Sequence, residues 1–377
     1  MEKNSKKLKI VISGGGTGGH IYPALAIAQA LIEKTGARIL YLGGKSSLEE
    51  RLVTEKGLEF VSFPVRGLSR KSIKIIGDIA FDLRGIKHAR RLIREFKPDV
   101  FVGTGGFVSG AAAFAAHKEK VPVVLHEQNA FPGLANRFLS RHAAVVCTSF
   151  ADAASRFPKK ARIEMTGLPV RKEILTASRD DAYNYFEFTE DGMKDKKILL
   201  VTGGSQGAQK LNQTMLKAYP QLLEDGLVVI HITGSRNFDE YKTSLTAAGI
   251  FGHPNLILLP YLDRMEYGLA AADLVLGRAG ASFLAELMAR GLPSVLVPYP
   301  HAAADHQTYN AQALVNKKAA LIIKDEALNE QILLSALLTV LQDDGKRKSM
   351  GQNAGKMSDP QSLDKIIELV LAAAIKA

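Results

Sequence analysis

The chain holds one cysteine and no tryptophan in 377 residues. A lone cysteine excludes a disulfide framework and any cysteine-based zinc site. Cys147 lies in the apolar run AAVVCTSF, where a thiol packs as a small hydrophobe. No uninterrupted apolar stretch reaches the roughly 18 residues of a membrane-spanning helix. The charged N-terminal tip runs straight into KIVISGGG, with no apolar signal-peptide core. A cytoplasmic protein is expected. No Asp-x-Asp occurs, so the common way of fixing Mg²⁺ or Mn²⁺ on a sugar nucleotide is missing. His301 and His306 have no third clustered ligand, and no metal or other cofactor is expected. Aromatic residues are few and no nucleic-acid motif is present, which disfavours nucleic acid as a partner.

The charge is unevenly placed. The net charge is +11, and residues 1–100 carry 19 Lys and Arg against 10 Asp and Glu. Such asymmetry points to an acidic partner: a phosphate, an anionic lipid or a nucleic acid. Within this region, residues 66–97 hold 10 basic and 3 acidic side chains. Ile73, Ile76, Ile79, Ala80, Leu83, Ile86, Ile93 and Phe96 recur there at helical spacing. An apolar surface ringed by positive charge can sit on an anionic bilayer without crossing it. It can equally be a core-facing helix with a solvated basic side.

Short Val/Ile/Leu runs alternate with helical stretches along the whole chain. KIVIS, RILYLG, DVFVG, PVVLH and AVVCTS in the first half read as buried strands, as do KILLVTG, LVVIHITG, NLILLP, DLVLG, PSVLVP and AALIIK in the second. Near-continuous apolar strands separated by helices predict parallel sheets covered on both faces. KIVISGG and KILLVTGG, aligned on their glycines, lie 189 residues apart. The expected architecture is therefore α/β, with two Rossmann-like doubly wound domains facing across a cleft. They should span 1–170 and 171–355, with 356–377 a helix packing back on the first domain.

Four glycine-rich turns follow strands and open helices: SGGGTGGH, GTGGFVSG, TGGSQGA and GRAGASFLAEL. Glycine allows close backbone approach, and a helix N-terminus offers free N–H groups to a phosphate. The first turn satisfies G-x-G-x-x-G, but the second strand ends YLGGK without the carboxylate that a dinucleotide ribose needs. GGKSS fails as a Walker motif, because Ile39 stands where the first glycine belongs. Four such turns suggest a nucleotide-diphosphate substrate and a second phosphorylated one.

The candidate side chains sit beside these turns. His20 can be a base near neutral pH, or can bond a phosphate or cap a helix. Asn129, in HEQN, can bond a sugar hydroxyl or make an Asx turn. Arg171, in GLPVR, suits a phosphate or lies solvated on the surface. Asp305, His306 and Gln307 form a hydrogen-bonding cluster.

GGGTGGHIYPALAIAQAL, GTGGFVSGAAAFAA, HEQNAFPGLANR, TGGSQGAQKLN, RAGASFLAELMARGLPSVLVP and DHQTYNAQAL occur in the order found in the MurG family of glycosyltransferases. The resemblance runs from about residue 8 to the C-terminus. It implies a GT-B enzyme that moves GlcNAc with inversion from UDP-GlcNAc to lipid I, an undecaprenyl-linked acceptor, forming lipid II for peptidoglycan. It further implies that Thr17, Gly18 and Gly19 lie against the donor sugar and acceptor phosphates, and that Asn129 contacts GlcNAc. Arg171 and Ser205 would hold the nucleotide, Leu262 line the uracil, Glu286 take the ribose hydroxyls and Gln307 bind the sugar. His20 would be the base, with Glu127 and Asp305 as rivals. The basic segment would then dock on an anionic membrane, peripherally and on its cytoplasmic face, among other cell-wall synthesis proteins. Leu168 and Ala279 depart from the family, which often has Asn and Ser there. The lost hydroxyl removes one diphosphate hydrogen bond, about 0.5–1.5 kcal/mol. A transferase with another acceptor and a non-catalytic nucleotide-sugar sensor are the rival functions.

Overall fold

The computed structural model describes residues 7–65, 72–188, 195–204 and 208–375, with side chains of 72–82 and 237 left aside. These residues divide into two compact units, Met1–Pro169 with Asp359–Ala377, and Val170–Ser358.

Among the described residues, the first unit has a seven-stranded parallel sheet. Its strands are β1 (Lys9–Ser13), β2 (Arg38–Gly43), β3 (Glu59–Ser62), β4 (Val100–Gly103), β5 (Val123–Glu127), β6 (Val145–Thr148) and β7 (Ile163–Met165). Their order is β3-β2-β1-β4-β5-β6-β7. Every residue of β4, β5 and β6 is buried, as expected where helices cover both faces. The chain works outward from β1 in one direction and then crosses back to β4, so the sheet reverses between these two. Ser13 pairs with Gly103 at that point. The crevice beyond the carboxyl ends of β1 and β4 is the switch point, the usual ligand site of a doubly wound sheet.

The second unit repeats the plan with six described strands: β8 (Ile198–Thr202), β9 (Val228–Ile232), β10 (Leu256–Leu259), β11 (Leu274–Gly277), β12 (Ser294–Leu296) and β13 (Ala320–Ile322). Their order is β10-β9-β8-β11-β12-β13, with Thr202 paired to Gly277 at the switch.

The sequence pattern misses β3 and β7, the two edges of the first sheet. EFVS and IEM are short and half-exposed, so neither carries a continuous apolar run. The final helix, Ser362–Ile375, buries Ile366, Ile367, Val370 and Ala373 in the same core as Ile10, Leu25 and Leu31. It packs on the first helix, α1 (Gly18–Thr35), and on β4, β5 and β6. No described helix is long and apolar enough to cross a membrane.

Residues 66–71 of the basic segment lie outside the described residues. The rest forms a helix, Ser72–Phe96. Ile93 and Phe96 are core residues, so the end of this segment faces inward, while Leu83 is 61% exposed. The helix is tied by Arg90 and Arg94 to Glu119; hydrogen bonds from these two guanidinium groups hold the Glu119 carboxyl down at about 2.

Candidate functional site

Two glycine turns meet at the first switch point. Gly15 N donates to Gly105 O at 3.3 Å. Gly105 and Gly106 both adopt positive φ, +106° and +84°. A Cβ on Gly106 would stand 2.3 Å from Gly15 O, and one on Gly105 would stand 2.8 Å from His20 Nδ1. Glycine is required here for conformation and for clearance. Thr104, fully buried between the turns, donates its hydroxyl to His20 O at 2.7 Å.

The first turn is less open to anions than its sequence suggests. Gly16 N donates to Glu49 Oε2 at 3.4 Å, and Gly44 N to Glu49 Oε1 at 3.2 Å. Glu49 is buried, so a carboxylate of the chain already occupies amides that the pattern leaves to a phosphate. The free N–H groups of this turn are those entering α1. Thr17 is its N-cap, without a side-chain cap bond, and Gly18 and Gly19 begin the helix.

His20 stands at the start of α1. Its Nδ1 lies 3.1 Å from Thr104 O and 3.0 Å from Gln128 Oε1. Gln128 in turn approaches His126 Nδ1 at 2.9 Å, and burial pushes the His126 imidazole down to about 4. Glu127 is buried, and its carboxylate accepts from Asn129 N, Asn129 Nδ2, Gly133 N and Asn136 Nδ2 at 2.8–3.2 Å. These four donors commit it to shaping the loop after β5. The loop presents Asn129, half-buried, on the carboxyl side of β5.

In the second unit the turn after β11 leads into the helix Ala281–Arg290, with Gly280 as N-cap and no side-chain cap. Its N-terminus therefore offers amides and a positive dipole end. Gln307 Oε1 accepts from Ala279 N at 3.1 Å and Tyr299 N at 3.0 Å. These bonds aim its amide nitrogen away from the backbone it braces. Arg278 is half-buried against Asp325 at 2.6 Å and the carbonyls of Val297 and Pro298, holding the turn from behind. Ala279 is fully buried.

Arg171 and Glu286 touch, Nη2 to Oε1 at 3.0 Å. Burial pushes the Glu286 carboxyl up, against the pull of Arg171. Leu262 is buried, with Gly268 beneath its Cδ2, so any contact it makes with a base is through its backbone. Asp305 caps the helix His306–Asn316 in a left-handed conformation and accepts from Thr308 Oγ1 at 2.7 Å. Ser205 lies outside the described residues.

Sequence reasoning did not single out Thr104, Gln128, His126 or Glu49. One signal was available: His126 and Gln128 are two apart at a strand end, a spacing that sets both on one face.

Comparison with known proteins accounts for both units. Residues 10–148 match the glycosyltransferase family 28 N-terminal domain and residues 198–366 the glycosyltransferase family 28 C-terminal domain. The chain is 45% identical over 370 residues to the UDP-N-acetylglucosamine–N-acetylmuramyl-(pentapeptide) pyrophosphoryl-undecaprenol N-acetylglucosamine transferase of Moorella thermoacetica, covering 97% of this chain and 98% of that protein. It is 43% identical to the Halothermothrix orenii protein of the same name, covering 96% and 98%. The crystal structure of Acinetobacter baumannii MurG superposes with a TM-score of 0.79 at 29% identity, covering 97% of this chain and all of that one.

Proposed function

Since the chain belongs to glycosyltransferase family 28 and shares the GT-B fold, we propose that it transfers GlcNAc from UDP-GlcNAc to the muramyl 4-hydroxyl of lipid I. The product is lipid II, the disaccharide-bearing peptidoglycan precursor. The second unit takes the donor and the first unit takes the acceptor.

His20 Nε2 removes the proton of the muramyl 4-hydroxyl. That oxygen attacks the anomeric carbon on the face opposite UDP, the bond from carbon to the phosphate oxygen breaks, and the configuration inverts. The departing diphosphate gains charge, which the amides at the start of Ala281–Arg290, Arg171 and Ser205 stabilise. Ribose hydroxyls donate to Glu286, which frees Arg171 for phosphate. Gln307 and Asn129 bond the sugar, the Leu262 backbone lines the uracil, and Thr17, Gly18 and Gly19 meet the acceptor phosphates. The single observation that supports this chemistry best is the imidazole of His20, held at the switch point by two acceptors on one nitrogen. Glu127, the rival base, is spent on four donors.

The acceptor hangs from a lipid, so the first unit works against the cytoplasmic face of the membrane, as a peripheral protein. Leu134 and Phe138, 78% and 56% exposed one helical turn apart, stand beside Arg137 and Arg141. These four side chains supply apolar contact and positive charge for an anionic bilayer.

The test is UDP release from UDP-GlcNAc with a lipid I analogue in excess EDTA. Release that requires the acceptor is expected. Donor binding without release from any acceptor, with or without Mg²⁺, would overturn the transferase in favour of a nucleotide-sugar sensor.

A further inference from the structure

A run of hydrogen bonds behind His20 can be read in one direction only. It begins at the Gly167 carbonyl, which has no proton to give. His126 Nε2 lies 3.1 Å from that oxygen, so Nε2 carries the ring hydrogen and donates. His126 Nδ1 is then a bare acceptor. Gln128 Nε2 donates to it at 2.9 Å and to the His126 carbonyl at 3.2 Å. An amide whose nitrogen faces His126 turns its oxygen the other way, and Oε1 lies 3.0 Å from His20 Nδ1. The Thr104 carbonyl is a second acceptor at 3.1 Å from the same nitrogen. His20 therefore carries its hydrogen on Nδ1, and Nε2 is left with a lone pair.

We propose that Gln128 is a positioning residue for His20: buried His126 sets the direction of its amide, and the amide holds the imidazole in the tautomer whose Nε2 accepts a proton. The inference rests on His20 acting as the base. No proton travels along the run. When Nε2 takes the substrate proton, the Nδ1–H keeps both oxygens, and these bonds become charge-assisted. His126 is fully buried and stays neutral at working pH, so its two nitrogens keep their roles during turnover. Titratable groups on the surrounding elements include Glu127 on β5, Tyr41 on β2 and Glu49 in the helix Leu48–Glu55. Glu127 is bound by its own loop, Tyr41 donates to Gly14 O at 2.5 Å, and Glu49 accepts from glycine amides.

The test compares Gln128→Met and Gln128→Glu in the full chain, by kcat and KM against pH, with ¹⁵N-histidine spectra of the unmodified protein. The spectra, with His20 assigned from its loss in His20→Ala, are expected to show hydrogen on Nδ1 and a bare Nε2. Gln128→Met keeps shape but loses the acceptor, and kcat should fall about tenfold, with KM for UDP-GlcNAc within about twofold. Gln128→Glu sets a carboxylate against Nδ1 and favours the imidazolium, moving the acid limb of kcat/KM up by about one pH unit. A Gln128 that does not contact Nδ1 would leave that limb in place. Hydrogen on Nε2 in the unmodified protein, or an unmoved limb in a folded Gln128→Glu protein, overturns the proposal. Full turnover in His20→Ala would instead remove the base, while the spectra still decide the tautomer by themselves.

Discussion

Each unit buries one histidine in a strand beside its switch point, and the two are wired alike but end differently. In the first unit the run from Gly167 O through His126 and Gln128 ends on half-buried His20. In the second, the Tyr219 hydroxyl donates to His231 Nδ1 at 2.5 Å, and His231 Nε2 donates to Asn212 Oδ1 at 3.1 Å. Asn212 Nδ2 then donates to Thr233 O at 2.9 Å, and Tyr241 closes the cluster on Asn212 O at 2.8 Å. Both histidines are fully buried. Burial pushes one down to about 4 and the other to about 3. The second network satisfies every partner and stops in backbone, so it fastens β9 to the helix Gln209–Glu224. The first spends its last bond on a side chain that still has a nitrogen to offer. A buried polar network is a brace when it closes and a tool when one end is left open.

Breaking each network at its histidine should separate these roles. His20→Ala should lower kcat by about 10²–10⁴-fold, as loss of a general base does, with UDP-GlcNAc affinity within about twofold by calorimetry. Comparable turnover would dissolve the contrast. His231→Leu should do the reverse. It strands the Tyr219 hydroxyl and the Asn212 amide, costing about 2–4 kcal/mol in urea unfolding, with kcat per folded molecule unchanged. A smaller effect is shared. Both buried histidines refuse a proton that the unfolded chain takes near pH 6.5, so their contribution to stability is whole above that pH and shrinks as pH falls toward 4 and 3. The free energy of unfolding should drop between pH 7 and pH 5, by up to about 2 kcal/mol per histidine. His231→Leu should show roughly half that loss.

Much of the fold was legible because parallel strands buried on both faces leave continuous apolar runs. The edge strands EFVS and IEM were not, since half-exposure breaks the pattern. The glycine turns announced where ligands belong, but not that Glu49 already bonds Gly16 and Gly44. That carboxylate arrives from a separate helix, and no local spacing encodes it. HEQN was legible as a unit, with attention drawn to Asn129. The directional part is His126 and Gln128, and its sense comes from the Gly167 carbonyl 41 residues away in sequence. Tautomers are set by tertiary contacts, and a linear motif cannot display them.

The first unit is assembled from segments on either side of the second, and this has a consequence during synthesis. Its sheet and α1 emerge early, but the helix Ser362–Ile375 that covers Ile10, Leu25 and Leu31 is made only after the second unit. At about 5–20 residues per second, the intervening second unit takes on the order of 10–40 s to leave the ribosome. Throughout that interval one apolar side of the nascent first unit stands bare. Chaperone dependence should therefore fall on the half that is translated first.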